Sequence, residues 1–167
     1  MKRVAFLLLF VFLFSLPFNV SASDALETDS TVEKITYFSD GSYMITYFQL
    51  DSQLDESKHS RATGSYEVSG SKATEYYDSA DNLDWRVNVR GVFLVIPGNS
   101  IDSGNCTDCS LTYNIYDSGW KISNISERTI TNNAHGSCTM KNKFLGITLQ
   151  TVTVDLYITC DIYGNLK

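Results

Sequence analysis

The sequence predicts an all-β protein: an immunoglobulin-like antiparallel β-sandwich with an additional N-terminal β-hairpin. Three observations carry this expectation. Long segments alternate apolar and polar residues with the two-residue period of a half-buried strand. Turn signals recur between those segments at the short intervals typical of sandwiches. No apolar repeat of helical period is sustained beyond the first 22 residues, and Thr, Val, Ile and Tyr dominate the periodic stretches, as pleated surfaces prefer.

The first segment reads as an address rather than as structure. Lys2 and Arg3 precede the apolar run Val4 to Phe14, Pro17 closes it, and Val20-Ser21-Ala22 supplies small residues for cleavage. Residues 1–22 therefore read as a signal peptide, since the run falls short of the ~20 residues that span a bilayer. The expected mature protein starts at Ser23 and is secreted, extracellular and unanchored. The formal net charge of the full chain is −6, and losing Lys2 and Arg3 makes it more acidic still. That balance argues against nucleic acid, whose phosphates call for clustered Lys and Arg. It equally disfavours adsorption to anionic membranes, so no membrane contact is expected of the mature form.

Residues 23–83 are polar with aromatic islands, and residues 84–167 read as a β-sandwich domain. In the first part, Val32 to Phe38 and Ser42 to Phe48 flank Asp40-Gly41. Asp-Gly tolerates positive φ, so a hairpin with a type I′ turn is expected, setting Phe38 beside Tyr43 and Ile35 beside Thr46. Residues 51–64 lack any period and read as a loop, and a weaker strand spans Thr74 to Tyr77. In the second part, Trp85, Val87, Val89, Gly91, Phe93 and Val95 take one face of a strand, with Arg86, Asn88 and Arg90 on the other. Pro97-Gly98-Asn99 turns the chain. Leu111, Tyr113 and Ile115 alternate next, Asp117-Ser118-Gly119 turns again, and Trp120 and Ile122 open another strand. The last strand aligns Val152, Val154, Leu156, Ile158 and Cys160.

Four cysteines, Cys106, Cys109, Cys138 and Cys160, are an even number in an exported chain, which favours disulfides; four allow three pairings. The rival chemistry is zinc. Cys106-x-x-Cys109 with His135-x-x-Cys138 makes a tetrahedral ligand set on paper. It would leave Cys160 as an odd thiol outside the cell, so disulfides are preferred and no metal or cofactor is expected.

Other constellations have plainer readings. Two histidines, His59 and His135, lie among many Ser and Asp residues, without the Gly-x-Ser-x-Gly elbow of a hydrolase nucleophile. Asp78, Asp81 and Asp84 could form a glycosidase pair, but loop acids are usually solvated. Asp102-Ser103-Gly104-Asn105 is a calcium-loop fragment without its other ligands. The expectation is therefore not an enzyme. Aromatic residues make up 13% of the chain, and tyrosine combines a flat apolar ring with a hydroxyl. Tyr43, Tyr47, Tyr76 and Tyr77 are the tyrosines that the strand pattern explains least, and they form the candidate binding set.

Gly91-x-Phe93, Cys106, Ile115-Tyr116-Asp117-Ser118-Gly119-Trp120, the turn from Lys141 to Ile147, and Leu156 to Cys160 with Gly164 and Leu166 together resemble a loose family. Its members are small, uncharacterised exported proteins of Gram-positive, clostridia-like gut bacteria. The resemblance covers about residues 84–167. It implies a Cys106–Cys160 disulfide, leaves Cys109 and Cys138 for a second bridge, and implies no activity. The functional expectation is a secreted, non-catalytic β-sandwich that binds an extracellular glycan, peptide or protein. The alternatives are a structural, envelope-associated protein without a specific ligand and, behind it, a zinc-binding or hydrolytic protein.

Overall fold

The computed structural model describes residues 30–51, 64–99 and 101–167. The signal peptide, His59 and most of the 51–64 loop lie outside them. Eight strands follow one another: β1 (Ser30–Tyr37), β2 (Tyr43–Leu50), β3 (Tyr66–Tyr77), β4 (Leu83–Val95), β5 (Asn105–Ile115), β6 (Trp120–Ile130), β7 (Asn133–Phe144) and β8 (Ile147–Thr159). They form two antiparallel sheets, ordered β1-β2-β3-β4-β5 and β6-β7-β8, and no helix occurs among the described residues.

The fold is thus all-β and two-layered, but its connectivity differs from the immunoglobulin-like one expected. Each strand pairs with its chain neighbour, so the sheets are meanders without the Greek-key exchange of immunoglobulin domains. Local turns explain this. Short connections at 38–42 and 78–82 return the chain at once beside the strand it has just left, whereas 116–119 carries it from β5 across to β6 in the second sheet. The hairpin of β1 and β2 is the edge of the five-stranded sheet, because β2 pairs with β3 from Tyr43↔Tyr77 to Leu50↔Gly70. Residue 84, where the composition changes, falls inside the β3–β4 hairpin.

The hairpin register is one residue away from the expected one. Tyr37 pairs with Tyr43 and Ile35 with Ile45. Phe38 N–H donates to Ser42 O at 2.9 Å, and only Gly41 in the turn has positive φ, at 87°. This is a three-residue loop with glycine in the left-handed position, not the two-residue type I′ turn. Asp40 stabilises it by accepting from Ser42 N–H at 3.0 Å and Ser42 Oγ at 2.6 Å.

The core forms where the alternation is strictest. Trp85, Val87, Val89, Phe93 and Val95 of β4 meet Ala134, Cys138 and Met140 of β7 and Val152, Val154, Leu156 and Ile158 of β8. At about 25 cal/mol per Å² of buried apolar surface, side chains of this size each contribute about 1.5–3 kcal/mol. Tyr76, Trp85 and Trp120 join as an aromatic cluster, with Tyr76 and Trp85 stacked at 5.3 Å. The sheets approach closely where β4 packs on β7. There a Cβ on Gly136 would lie 2.3 Å from Val89 Cγ2, and one on Gly91 2.7 Å from Ala134 Cβ.

Candidate functional site

Three of the four candidate tyrosines meet on the outer face of the five-stranded sheet, and a fourth ring joins them. Register places Tyr37, Tyr43 and Tyr77 side by side across β1, β2 and β3. Tyr43 and Tyr77 stack with centroids 5.1 Å apart and planes 10° apart. Tyr37 tilts against Tyr43 at 6.0 Å and ends the row, 74% exposed. Tyr47 stands two positions along the same face of β2, and Val32, Ile35 and Ile45 fill the spaces between.

Tyr76 does not belong to this face. Neighbouring residues in a strand point to opposite sides, so Tyr76 enters the core beside Tyr77, is 2% exposed, and hydrogen-bonds Ser42 Oγ at 2.6 Å and Gln150 Oε1 at 2.8 Å. It is a core residue and is removed from the candidate set. Tyr37, which sequence reasoning missed, replaces it. The signal for Tyr37 was present in the hairpin, but the one-residue register error concealed the three-tyrosine row.

The phenols are held rather than free. Glu75 accepts from Tyr47 Oη at 2.8 Å through one carboxylate oxygen and from Tyr77 Oη at 2.7 Å through the other. Tyr43 Oη donates to Asp81 at 3.1 Å. Arg86 lies over the Tyr47 ring, 5.4 Å from its centroid, within range of a cation–π attraction. Burial first, and then the Glu75 carboxylate, push the Tyr77 phenol up to about 12. Tyr47 is raised for the same reasons. The Tyr43, Tyr47 and Tyr77 rings are therefore held in fixed orientations.

A polar hollow of about 270 Å³ adjoins this aromatic row on the same face, lined by Gln49, Ser71, Arg86, Asn88, Thr112 and Asn114 among others. Its floor is the outward half of the β4 and β5 alternation. Arg90 beside it is neutralised by Asp51, with Nε 2.7 Å from the carboxylate. Side-chain amides, a hydroxyl and a half-exposed guanidinium thus offer donors and acceptors next to apolar ring surface.

The cysteines stand apart from this site and are four free thiols. The expected pairings of Cys106 with Cys160 and of Cys109 with Cys138 are not formed. Cys106 and Cys160 nevertheless flank one turn: Cys106 N–H donates to Thr131 O at 2.6 Å and Cys160 N–H to Asn132 O at 3.0 Å. Burial pushes the thiols of Cys106, Cys138 and Cys160 up to about 11, so they are protonated at neutral pH. The alternative zinc set does not converge. Cys138 faces the core, whereas His135, on the opposite face of β7, bonds Asp155 through Nε2 at 2.5 Å and stacks on Tyr157 at 4.2 Å. Among the described residues no group of three or more His, Cys, Asp or Glu could hold a metal ion.

The remaining motifs do structural work. Asp78 caps the β3–β4 turn by accepting from Ala80 N–H and Asn82 N–H. Asp84 is buried against Trp120, whose indole donates to it at 2.9 Å. Ser103 ties Ile96 N–H to Ile162 O. Comparison of the chain with protein-family models, curated proteins and solved structures finds no match.

Proposed function

We propose that this protein is a secreted, non-catalytic binding module, and that its ligand is an extracellular glycan lying across the outer face of the five-stranded sheet. One observation carries the reading: a tyrosine row held by hydrogen bonds to carboxylates adjoins a hollow of amide and hydroxyl groups. Sugars present apolar C–H faces and a surround of hydroxyls. Tyr37 and the exposed edges of Tyr43 and Tyr77 would take the former, and Asn88, Thr112 and Asn114 the latter. The signal-peptide pattern of residues 1–22 supports an extracellular setting.

The test is a screen of the purified mature protein on an array of extracellular polysaccharides, followed by calorimetry on whatever binds. Tyr37→Ala and Asn114→Ala should each weaken binding about tenfold, the loss expected when one ring contact or one polar contact worth about 1.4 kcal/mol is removed. Binding that survives both substitutions unchanged, or silence across the array, would refute the assignment.

A further inference from the structure

We infer that copies of this protein assemble head to tail, the β7–β8 hairpin of one copy entering an apolar hollow at the far end of the next. The inference stands independently of the glycan reading. The hairpin tip carries Phe144, Leu145, Ile147 and Leu149, all mostly exposed, with Leu145 86% accessible. It projects past the end of the three-stranded sheet, since β6 pairs with β7 only from Trp120↔Asn142 onward.

The tip is poorly explained by folding alone. Leu145 and Gly146 both have positive φ, 49° and 81°. At the first of these positions Asn, Asp or Gly is the preferred residue, for conformation and for solubility alike. A leucine there is strained and apolar at the most exposed point of the hairpin. Strain retained at such a place points to a contact.

The opposite end of the sandwich offers the complement. A hollow of about 340 Å³ is lined by Tyr66, Val95, Pro97, Ile162 and Tyr163, with Tyr163 itself 75% exposed. The 13 residues of β8 separate the two ends, about 40 Å at strand rise. On the three-stranded sheet the charges behind the tip are basic. Lys121 and Lys141 sit directly opposite each other behind the tip, a like-charge pair that an anionic neighbour would relieve. Neither they nor Lys143 form an ion pair among the described residues. Glu67, Asp102 and Asp161 adjoin the lining residues of the hollow.

A second copy fits better than a bilayer as the occupant. A flat bilayer would meet, beside the hairpin, the β1–β2, β3–β4 and β5–β6 turns at the same end, whose Asp40, Asp78, Asp81 and Asp117 anionic lipid would repel, whereas a hollow need admit only the hairpin. An apolar projection and a hollow at opposite poles of one chain make a heterologous contact, and such a contact repeats.

Sedimentation of the mature protein across a dilution series tests this. The wild type should grow beyond a dimer with concentration. Leu145→Asn should weaken association about 10–100-fold, the loss of one buried leucine, while leaving the melting temperature equal or higher because Asn tolerates the turn. Tyr163→Glu should do the same from the other pole. Mixing the two variants should restore a one-to-one dimer and nothing larger, since one retains the hollow and the other the hairpin. A wild type that stays monomeric throughout overturns the inference. So does a Tyr163→Glu variant that assembles like the wild type, or a monomer that instead sediments with anionic vesicles. Tyr37→Ala should leave assembly unchanged, which separates this result from the fate of the glycan site.

Discussion

Tyr43 and Tyr77 are direct cross-strand partners whose rings stack at 5.1 Å while their hydroxyls are held by two different carboxylates, Asp81 and Glu75. Such a pair couples by about 0.5–1.5 kcal/mol beyond simple burial, so a double-mutant cycle of Tyr43→Ala and Tyr77→Ala should return a coupling of that size. The same geometry has a titration signature. A phenol whose folded pKa lies near 12, above its unfolded value of about 10, contributes stability below that unfolded value. The contribution is lost as pH rises through the folded value. Ultraviolet titration should show Tyr77 ionising after exposed phenols, and Glu75→Gln should bring it down. No movement on Glu75→Gln would mean that burial alone sets it.

Gly136 and Val89 face each other where the sheets touch, and a Cβ on Gly136 would lie 2.3 Å from Val89 Cγ2. Gly136→Ala should therefore destabilise by about 1–3 kcal/mol through overpacking. Val89→Ala makes room, so the double variant should lose less than the two single losses combined. Chemical denaturation of the four proteins measures this, and strict additivity would show that the clash is relieved elsewhere.

The strands legible in the sequence were those whose two faces see different surroundings. β4 and β8 bury every second residue, and the odd set from Trp85 to Val95 and the even set from Val152 to Ile158 occupy the core as expected. β3 was only half legible. Its inward face, which places Val68 and Tyr76 in the core, also includes Gly70, Lys72 and Thr74. Lys72 there pairs with Glu33 at 2.9 Å and lies 5.8 Å from the Phe48 ring centroid instead of meeting an apolar partner. Polar residues and a glycine on the core-facing side erase the alternation that would reveal the strand. The site failed at one point for a related reason: with β3 read only from Thr74, the sides taken by Tyr76 and Tyr77 were left open.

Exposure separates the cysteines. Cys106 and Cys109 are half-buried, whereas Cys138 and Cys160 are buried. Alkylation of the reduced native protein, mapped by peptide mass, should label the first two before unfolding and the last two only after it. Native-state labelling of Cys138 or Cys160 would refute this order, since both lie inside the packed core.

Asp84 is the carboxylate whose burial has the clearest consequence for stability. Burial raises its pKa, the nearby charges of Asp117 and Asp78 add to the rise, and the Trp120 indole opposes it. A carboxyl whose folded pKa exceeds its unfolded value favours the fold while protonated. That contribution is complete below about 3.9, the ordinary aspartate value, and is lost as pH rises through the folded pKa. Ionising Asp84 in the fold therefore costs stability. Asp84→Asn removes the charge yet keeps an oxygen for the indole, so it should melt higher than the wild type at neutral pH, with the advantage shrinking on acidification. Asp84→Ala should instead orphan the Trp120 N–H and cost about 1–3 kcal/mol. The Trp85 indole is a natural control, being buried with no hydrogen-bond partner among the described residues. Trp85→Phe should therefore lose only packing, while Trp120→Phe loses packing and strands the Asp84 carboxylate. If melting curves across pH rank Asp84→Asn below the wild type throughout, the charged indole bond outweighs the burial cost, and the carboxylate is there to stabilise the aromatic cluster.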